Sequence, residues 1–337
     1  MSQTPAPSSL PAEGPARPAE AVEPRAKAAP TPAQPPEAGS GIAGRGRRLR
    51  VVHRTGFVYS QQVSIGHNAA WLTPLVHGWQ QRITWQMDVC PEPARLTTRQ
   101  DYFGNTVSYF SVEQPHTQFS VTASGEVLLG EPDWPEPLTT PAWEAVREQV
   151  HTDRSGPTLQ AAEFLYISPM VEEFSELEAY ARESFAPARP ILDAALDLTL
   201  RIGADFAYAP QATTIATPLR EVFEGRRGVC QDFAHLQIGC LRSLGLPARY
   251  VSGYLLTHPP PGKPRLIGAD ASHAWVQVFC GPAGWVDLDP TNRRLVGPDY
   301  ITLAVGRDYG DVSPIRGVIN GGGRHSMSVS VDVAPVA

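Results

Sequence analysis

The stretch FEGRRGVCQDFAHLQIGCLRSLGLPARYVSGYL, residues 223–255, constrains the fold of this chain more than any other. Gly228 and Val229 permit a tight approach, and the apolar residues from Phe233 through Leu244 then write a helix that has to be buried. Gly245 and Pro247 end it, and Tyr250 to Leu255 read as a strand. A second pair follows: ASHAWVQVF and GWVDLD are strands joined by a turn through Gly281, Pro282 and Gly284.

Upstream, Ile191, Ala195, Leu198, Ile202 and Phe206 recur at helical spacing behind Pro190, a proline placed for a first turn. From Arg48 to about Gly130 the texture is different: short β-branched runs such as QQRITWQMDV and TVSYFSVE alternate with turn signals such as DYFGN and EQPH. That pattern predicts antiparallel strands, and the Pro-rich EPDWPEPLTTP after it predicts a connector. The chain holds 34 Pro, which crowd at its start. Residues 1–47 are Ala, Pro, Glu, Ser and Gly with almost nothing to bury, and ordering a backbone costs about 1–2 kcal/mol per residue, so a disordered tail is expected. No internal repeat stands out.

The net charge of -6 comes from intermixed Asp, Glu, Lys and Arg, without the basic block that tracks phosphates, so nucleic acid is not an expected partner. Cys90, Cys230, Cys240 and Cys280 lie far apart with no C-x-x-C pair, which argues against a zinc cluster or a disulfide framework. No apolar run approaches the roughly 20 residues that span a bilayer, and no secretion signal opens the chain. The expectation is a cytoplasmic protein with no membrane association. His53, His67 and His116 are spread over separate strands and read as ordinary polar positions, and the DPTN run has too few carboxylates for a calcium loop. No cofactor or metal is expected. The Gly321–Gly323 run precedes the strand-like SMSVSVDV, not a helix with Lys and Ser or Thr, which removes a phosphate-loop reading.

Chemistry concentrates at Cys230. It follows a glycine, precedes polar Gln231 and Asp232, and sits at the predicted start of a helix, where unpaired N–H groups favour a thiolate and can serve an oxyanion. Cys240 and Cys280 have apolar settings and read as core. A base on a rigid element is then required, and His273 stands near the start of the next strand, sharing a face with Trp275, Gln277 and Phe279. If the hairpin loop runs from Cys280 to Gly284, His273 becomes a same-face diagonal neighbour of Asp289, within reach of imidazole and carboxylate; a loop one residue shorter puts them on opposite faces. Asp232 reads as a helix-start carboxylate and His235 as a structural hydrogen-bonder. Trp275 could shield the imidazole or belong to the core, Tyr208 could approach the site, and the segment 306–314 could flank the cleft or merely pack.

The order Cys, His, Asp within G-V-C-Q-D-F-A-H, S-H-A-W-V and W-V-D-L-D-P-T resembles the transglutaminase-like superfamily, specifically bacterial members with a β-rich N-terminal domain. R-R-L-R-V-V-H-R-T, D-Y-F-G-N and Pro115-His116 resemble that leading domain, and V-G-R-D-Y-G-D-V-S-P resembles the family's closing segment. The resemblance implies a papain-like α+β core, with Cys230 as nucleophile, His273 as acid/base and Asp289 as orienting carboxylate. It implies three parts: a tail at 1–47, a β-rich domain at 48–135 and a catalytic core with C-terminal extension at 136–337. The expected function is cysteine acyl transfer on amide bonds of peptides or proteins, ending in hydrolysis or in transfer to an amine. The alternative is a catalytically silent binding or scaffold protein of the same fold; a further possibility gives the β-rich domain a role in recognising the substrate. Oligomeric state, acyl donor and acceptor are open at this level.

Overall fold

The computed structural model describes residues 46–257 and 272–336, so the expected tail, but for its last two residues, lies outside the described residues. The fold is α+β and rests on two antiparallel sheets. The first begins with β1 (Arg47–Ala70), β2 (Gln80–Cys90), β3 (Arg95–Gln100), β4 (Thr106–Val112) and β5 (His116–Leu129). Strand β1 turns Leu49, Val51, His53 and Thr55 inward and Arg48, Arg50 and Arg54 outward, the two-residue period of a half-buried strand. The sheet order is β2-β5-β1-β4-β3. The first half of β1 pairs with β5 and the second half with β4, with a register shift between Val58 and Val63 that lets the long strand change partners.

Helices then take over: α1 (Trp143–Thr152), α2 (Gly156–Ala162), α3 (Ser175–Arg182) and α4 (Ile191–Asp205). Helix α4 buries Ile191, Ala195, Leu198 and Ile202, the stripe its sequence period indicates. The short parallel pair β6 (Ala207–Tyr208) and β7 (Arg227–Gly228) brackets α5 (Leu219–Gly225) and leads into α6 (Cys230–Ser243). Every residue of α6 from Asp232 to Arg242 is buried, so it is the central helix of the molecule. Gly245, at φ +76°, takes the left-handed turn that ends it, which a side chain would strain.

The second sheet runs β11-β10-β9-β8-β12, from β8 (Ala248–Leu255), β9 (Ser272–Phe279), β10 (Trp285–Asp289), β11 (Arg294–Leu295) and β12 (Tyr300–Gly306). Ala274, Val276 and Val278 of β9 share one apolar core with Phe233, Leu236 and Leu241 of α6. After α7 (Tyr309–Val312) the chain returns to the first sheet, where β13 (Ile315–Gly321) and β14 (His325–Pro335) both pair with β1. In their backbone pairing these last strands belong to the N-terminal sheet. Among the described residues no helix is long and apolar enough to cross a membrane.

Two amide side chains fasten the sheets together. Strand β12 is an edge, and its outward N–H and C=O groups need partners. Gln80 donates to the Thr302 carbonyl at 2.8 Å and accepts from the Thr302 N–H at 2.8 Å. Asn105 does the same for Val305, at 2.7 and 2.8 Å. Both side chains are fully buried, and Asn105 is itself held by Asp101, which also accepts from the Trp71 indole. The DYFGN turn thus serves as the clasp between the sheets. Beside it Leu49, Val51, Val331 and Val333 pack on Tyr254, Ile301 and Leu303.

Candidate active site

The start of α6 sets Cys230. Val229 is extended before the first turn, and the Asp232 carboxylate accepts from the Val229 N–H at 2.8 Å and from the Thr213 hydroxyl at 2.6 Å. A Cβ at Gly228 would meet that carboxyl group at 2.7 Å, which explains the glycine ahead of the cysteine. Asp232 therefore holds the helix start in place, and the Cys230 N–H, as a first-turn donor, has no intrahelical acceptor.

The β9–β10 hairpin sets the other two residues. Its loop runs through a single 3-10 turn at Gly281–Ala283, and Phe279 stands opposite Trp285, the register that brings His273 to Asp289. His273 Nε2 and Asp289 Oδ2 are 2.7 Å apart, and His273 borders the same cavity as Cys230, whose sulphur favours the charged ring. Asp289 is fully buried and accepts from four further groups: the N–H groups of Thr291 and Asn292, the Asn292 side-chain amide at 2.7 Å and the Tyr300 hydroxyl at 2.7 Å. Burial pushes this carboxyl group up, but the hydrogen bonds and the imidazole beside it prevail and hold it below its ordinary value. Burial likewise pulls His273 down, yet its bond to Asp289 and the nearby Cys230 sulphur, with the charges on both, raise it to about 10. At neutral pH the ring is an imidazolium between a carboxylate and a sulphur.

Tyr300 and Asn292 are the residues that sequence reasoning missed. Neither lies in a motif of its own, and the only available signal was Asn292 in the turn directly after the acid. Trp275 is fully buried; its indole donates to Asp287 at 2.6 Å and its ring packs edge-on against Tyr300, so it is core beneath the imidazole and not a wall of the cleft. His235 is buried and neutral, lowered to about 4 mainly by burial, and accepts the Tyr309 N–H at 3.1 Å. That bond seats α7, whose Tyr309 borders the cleft together with Pro314, so the 306–314 segment both packs and flanks. Tyr208 is 57% exposed on β6, and burial followed by the Cys230 charge raises its phenol, which puts it near Cys230. Cys240 and Cys280 are buried in the core and Cys90 is exposed.

A cavity of about 250 Å³ opens at Cys230 and His273. Tyr250 and Ser252, on one face of β8, form its floor, and the far wall comes from the first sheet, where His53, Thr55 and Phe57 of β1 face Met327 and Val329 of β14. His53 is bonded to the Tyr254 hydroxyl at 2.8 Å and to Thr55 at 3.0 Å, and burial lowers it to about 4. Its role is a neutral link between the sheets. Among the described residues no group of His, Cys, Asp and Glu is arranged to hold a metal ion, and His116 is instead bonded to the Gln114 carbonyl.

Comparison with known proteins agrees with this architecture. Residues 49–128 match the bacterial transglutaminase-like N-terminal region and residues 178–290 match the transglutaminase-like superfamily core. An uncharacterized protein of Mycobacterium tuberculosis is 43% identical over 298 residues, which cover 86% of this chain and 93% of its own. A protein-glutamine gamma-glutamyltransferase of Pseudomonas aeruginosa is 33% identical over 104 residues, 28% of this chain and 15% of that protein. The crystal structure of a candidate cysteine protease from Cytophaga hutchinsonii superposes with a TM-score of 0.69 at 21% identity, covering 87% of this chain and 92% of that one, and shares the fold. The chain belongs to the transglutaminase-like superfamily, in the bacterial form that carries a β-rich N-terminal region ahead of the core.

Proposed function

We propose that the protein is a cysteine acyltransferase or hydrolase acting on amide bonds of peptides or proteins. The observation that carries this reading is the position of His273, which borders one cavity with Cys230 and is bonded to a buried carboxylate. Attack comes from the thiolate, and an imidazolium raised to about 10 is suited to protonate a leaving amine and not to abstract a proton first.

In the first step the Cys230 sulphur bonds to the amide carbon, and the oxyanion that forms lies at the free N–H of the helix start. The C–N bond then breaks as His273 gives its proton to the departing nitrogen, which leaves a thioester and a neutral imidazole. In the second step that imidazole takes a proton from water or from a primary amine as it attacks, the C–S bond breaks, and the thiolate–imidazolium pair returns. Water yields an acid; an amine yields a transferred amide. Asp289 stays ionised and orients the ring in both steps.

The test is mass spectrometry of a cell-extract peptide library incubated with the wild type and with Cys230→Ala, with and without a labelled primary amine. Label gained only with the wild type supports transfer, and peptides shortened or deamidated only with the wild type support hydrolysis. An unchanged library, or identical changes with Cys230→Ala, contradicts the reading.

A further inference from the structure

On the cavity wall opposite Cys230, Phe57 and Ile315 also pack on the core of the first sheet, whereas Met327 and Val329 belong to no core cluster. On β14 Met327, Val329, Val331 and Val333 share one face, with Ser326, Ser328 and Ser330 on the other. Val331 and Val333 are fully buried between the sheets, whereas Met327 is 58% exposed and Val329 49% exposed. Strand β1 repeats the pattern in register: Val51, opposite Val333, is core, while Phe57, opposite Met327, lines the cavity. The alternation that builds the inter-sheet core therefore runs on past its end and over the catalytic cleft. Ile315 adds to it from β13.

Charge is confined to the Cys230 and His273 end of the lining. No Asp, Glu, Lys or Arg borders the cavity among the described residues, and His53 is neutral. A few convergent polar groups on a mostly apolar surface are the composition of a pocket that takes an apolar ligand group and fixes it by one or two hydrogen bonds. A charged side chain placed against Phe57, Met327 and Val329 would lose its water and gain no partner on that wall.

We propose that Phe57, Ile315, Met327 and Val329 form the acyl-donor subsite, which takes an uncharged apolar side chain beside the attacked amide. The inference rests on the acyl-transfer reading of the same cleft, and it makes the N-terminal sheet a part of the catalytic site's specificity.

The test uses alkylation of the full chain by iodoacetamide, N-phenethyl iodoacetamide and an N-carboxyethyl iodoacetamide, with rates at Cys230 referred to those at exposed Cys90 in the same sample. The wild type should prefer the phenethyl reagent at Cys230 by about tenfold over iodoacetamide and disfavour the carboxylate. Met327→Lys with Val329→Lys should remove the phenethyl preference, read as the ratio of the phenethyl to the iodoacetamide rate at Cys230. Met327→Thr with Val329→Thr, which keeps strand propensity, should reduce that preference even if the lysines disturb the strand. No preference in the wild type, or a preference retained in both variants, overturns the proposal. The acyl-transfer reading fails separately, if the iodoacetamide rate at Cys230 is indifferent to His273→Ala.

Discussion

His53 and His273 face the same cavity from opposite walls, and their charges diverge. His53 is buried and His273 nearly so, its side chain 10% exposed, yet the first is lowered to about 4 and the second raised to about 10. Burial acts on both in the same direction; the partners differ. His53 meets two hydroxyls, which stabilise a neutral ring, while His273 meets a carboxylate and a sulphur. The same contrast separates two acids on β10. Asp287, with donors from Trp275 and Gln277, is still raised to about 6 by its burial, whereas Asp289 gathers an imidazole, two side-chain donors and two backbone N–H groups and stays low. In this molecule the hydrogen-bond partners, more than depth, decide which buried group carries charge.

The largest way to break this contrast is at the charged wall. Cys230→Ala should abolish turnover, and Asp289→Asn, which leaves the shape but removes the imidazolium's partner, should lower kcat by on the order of 10³–10⁴-fold in the assay that detects product. At the neutral wall the effects should be on stability. Asn105→Ala leaves both backbone groups of Val305 unpaired and should cost about 2–3 kcal/mol by urea unfolding; Gln80→Ala should cost less, because the Thr302 carbonyl keeps the Leu75 N–H and only the Thr302 N–H loses its partner.

The histidines also give opposite pH signatures. The folded pKa of His273 is raised, so its contribution is fully present below the unfolded value of about 6.5 and lost as pH rises through about 10. That of His53 is depressed, so its contribution is present above about 6.5 and lost as pH falls toward about 4. Unfolding midpoints measured across this range should fall at both ends, with the alkaline loss reduced in His273→Gln and the acid loss reduced in His53→Gln. The smallest expected effect is that of Tyr300→Phe. It removes one of several donors to Asp289 and should slow turnover about five- to tenfold, without changing the fold by circular dichroism.

The sequence was legible where a local signal coincided with the chemistry. Glycine before Cys230 and the apolar run behind it single out the thiol, and the strand pattern brings an imidazole to a carboxylate if the loop runs from Cys280 to Gly284, the register the structure has. What escaped depends on distant pairing. The DYFGN turn reads correctly as a turn, but nothing nearby says that Asn105 pairs with the edge of a strand 200 residues away. His53 reads only as an ordinary polar position, because its partner, Tyr254, lies on the other sheet. The SMSVSVDV run reads as a strand, yet its pairing with β1, and the apolar wall this makes over Cys230, exist only once the chain has returned to its first sheet.

The most direct test of the account is ¹⁵N NMR of the histidine side chains across the pH range, in the wild type and in Cys230→Ala. The account predicts a His273 ring that is charged at neutral pH, gives up its proton near 10, and titrates lower once the sulphur is gone, beside a His53 ring that stays neutral until about 4. A His273 that titrates near the ordinary value of about 6.5 in both proteins would contradict it.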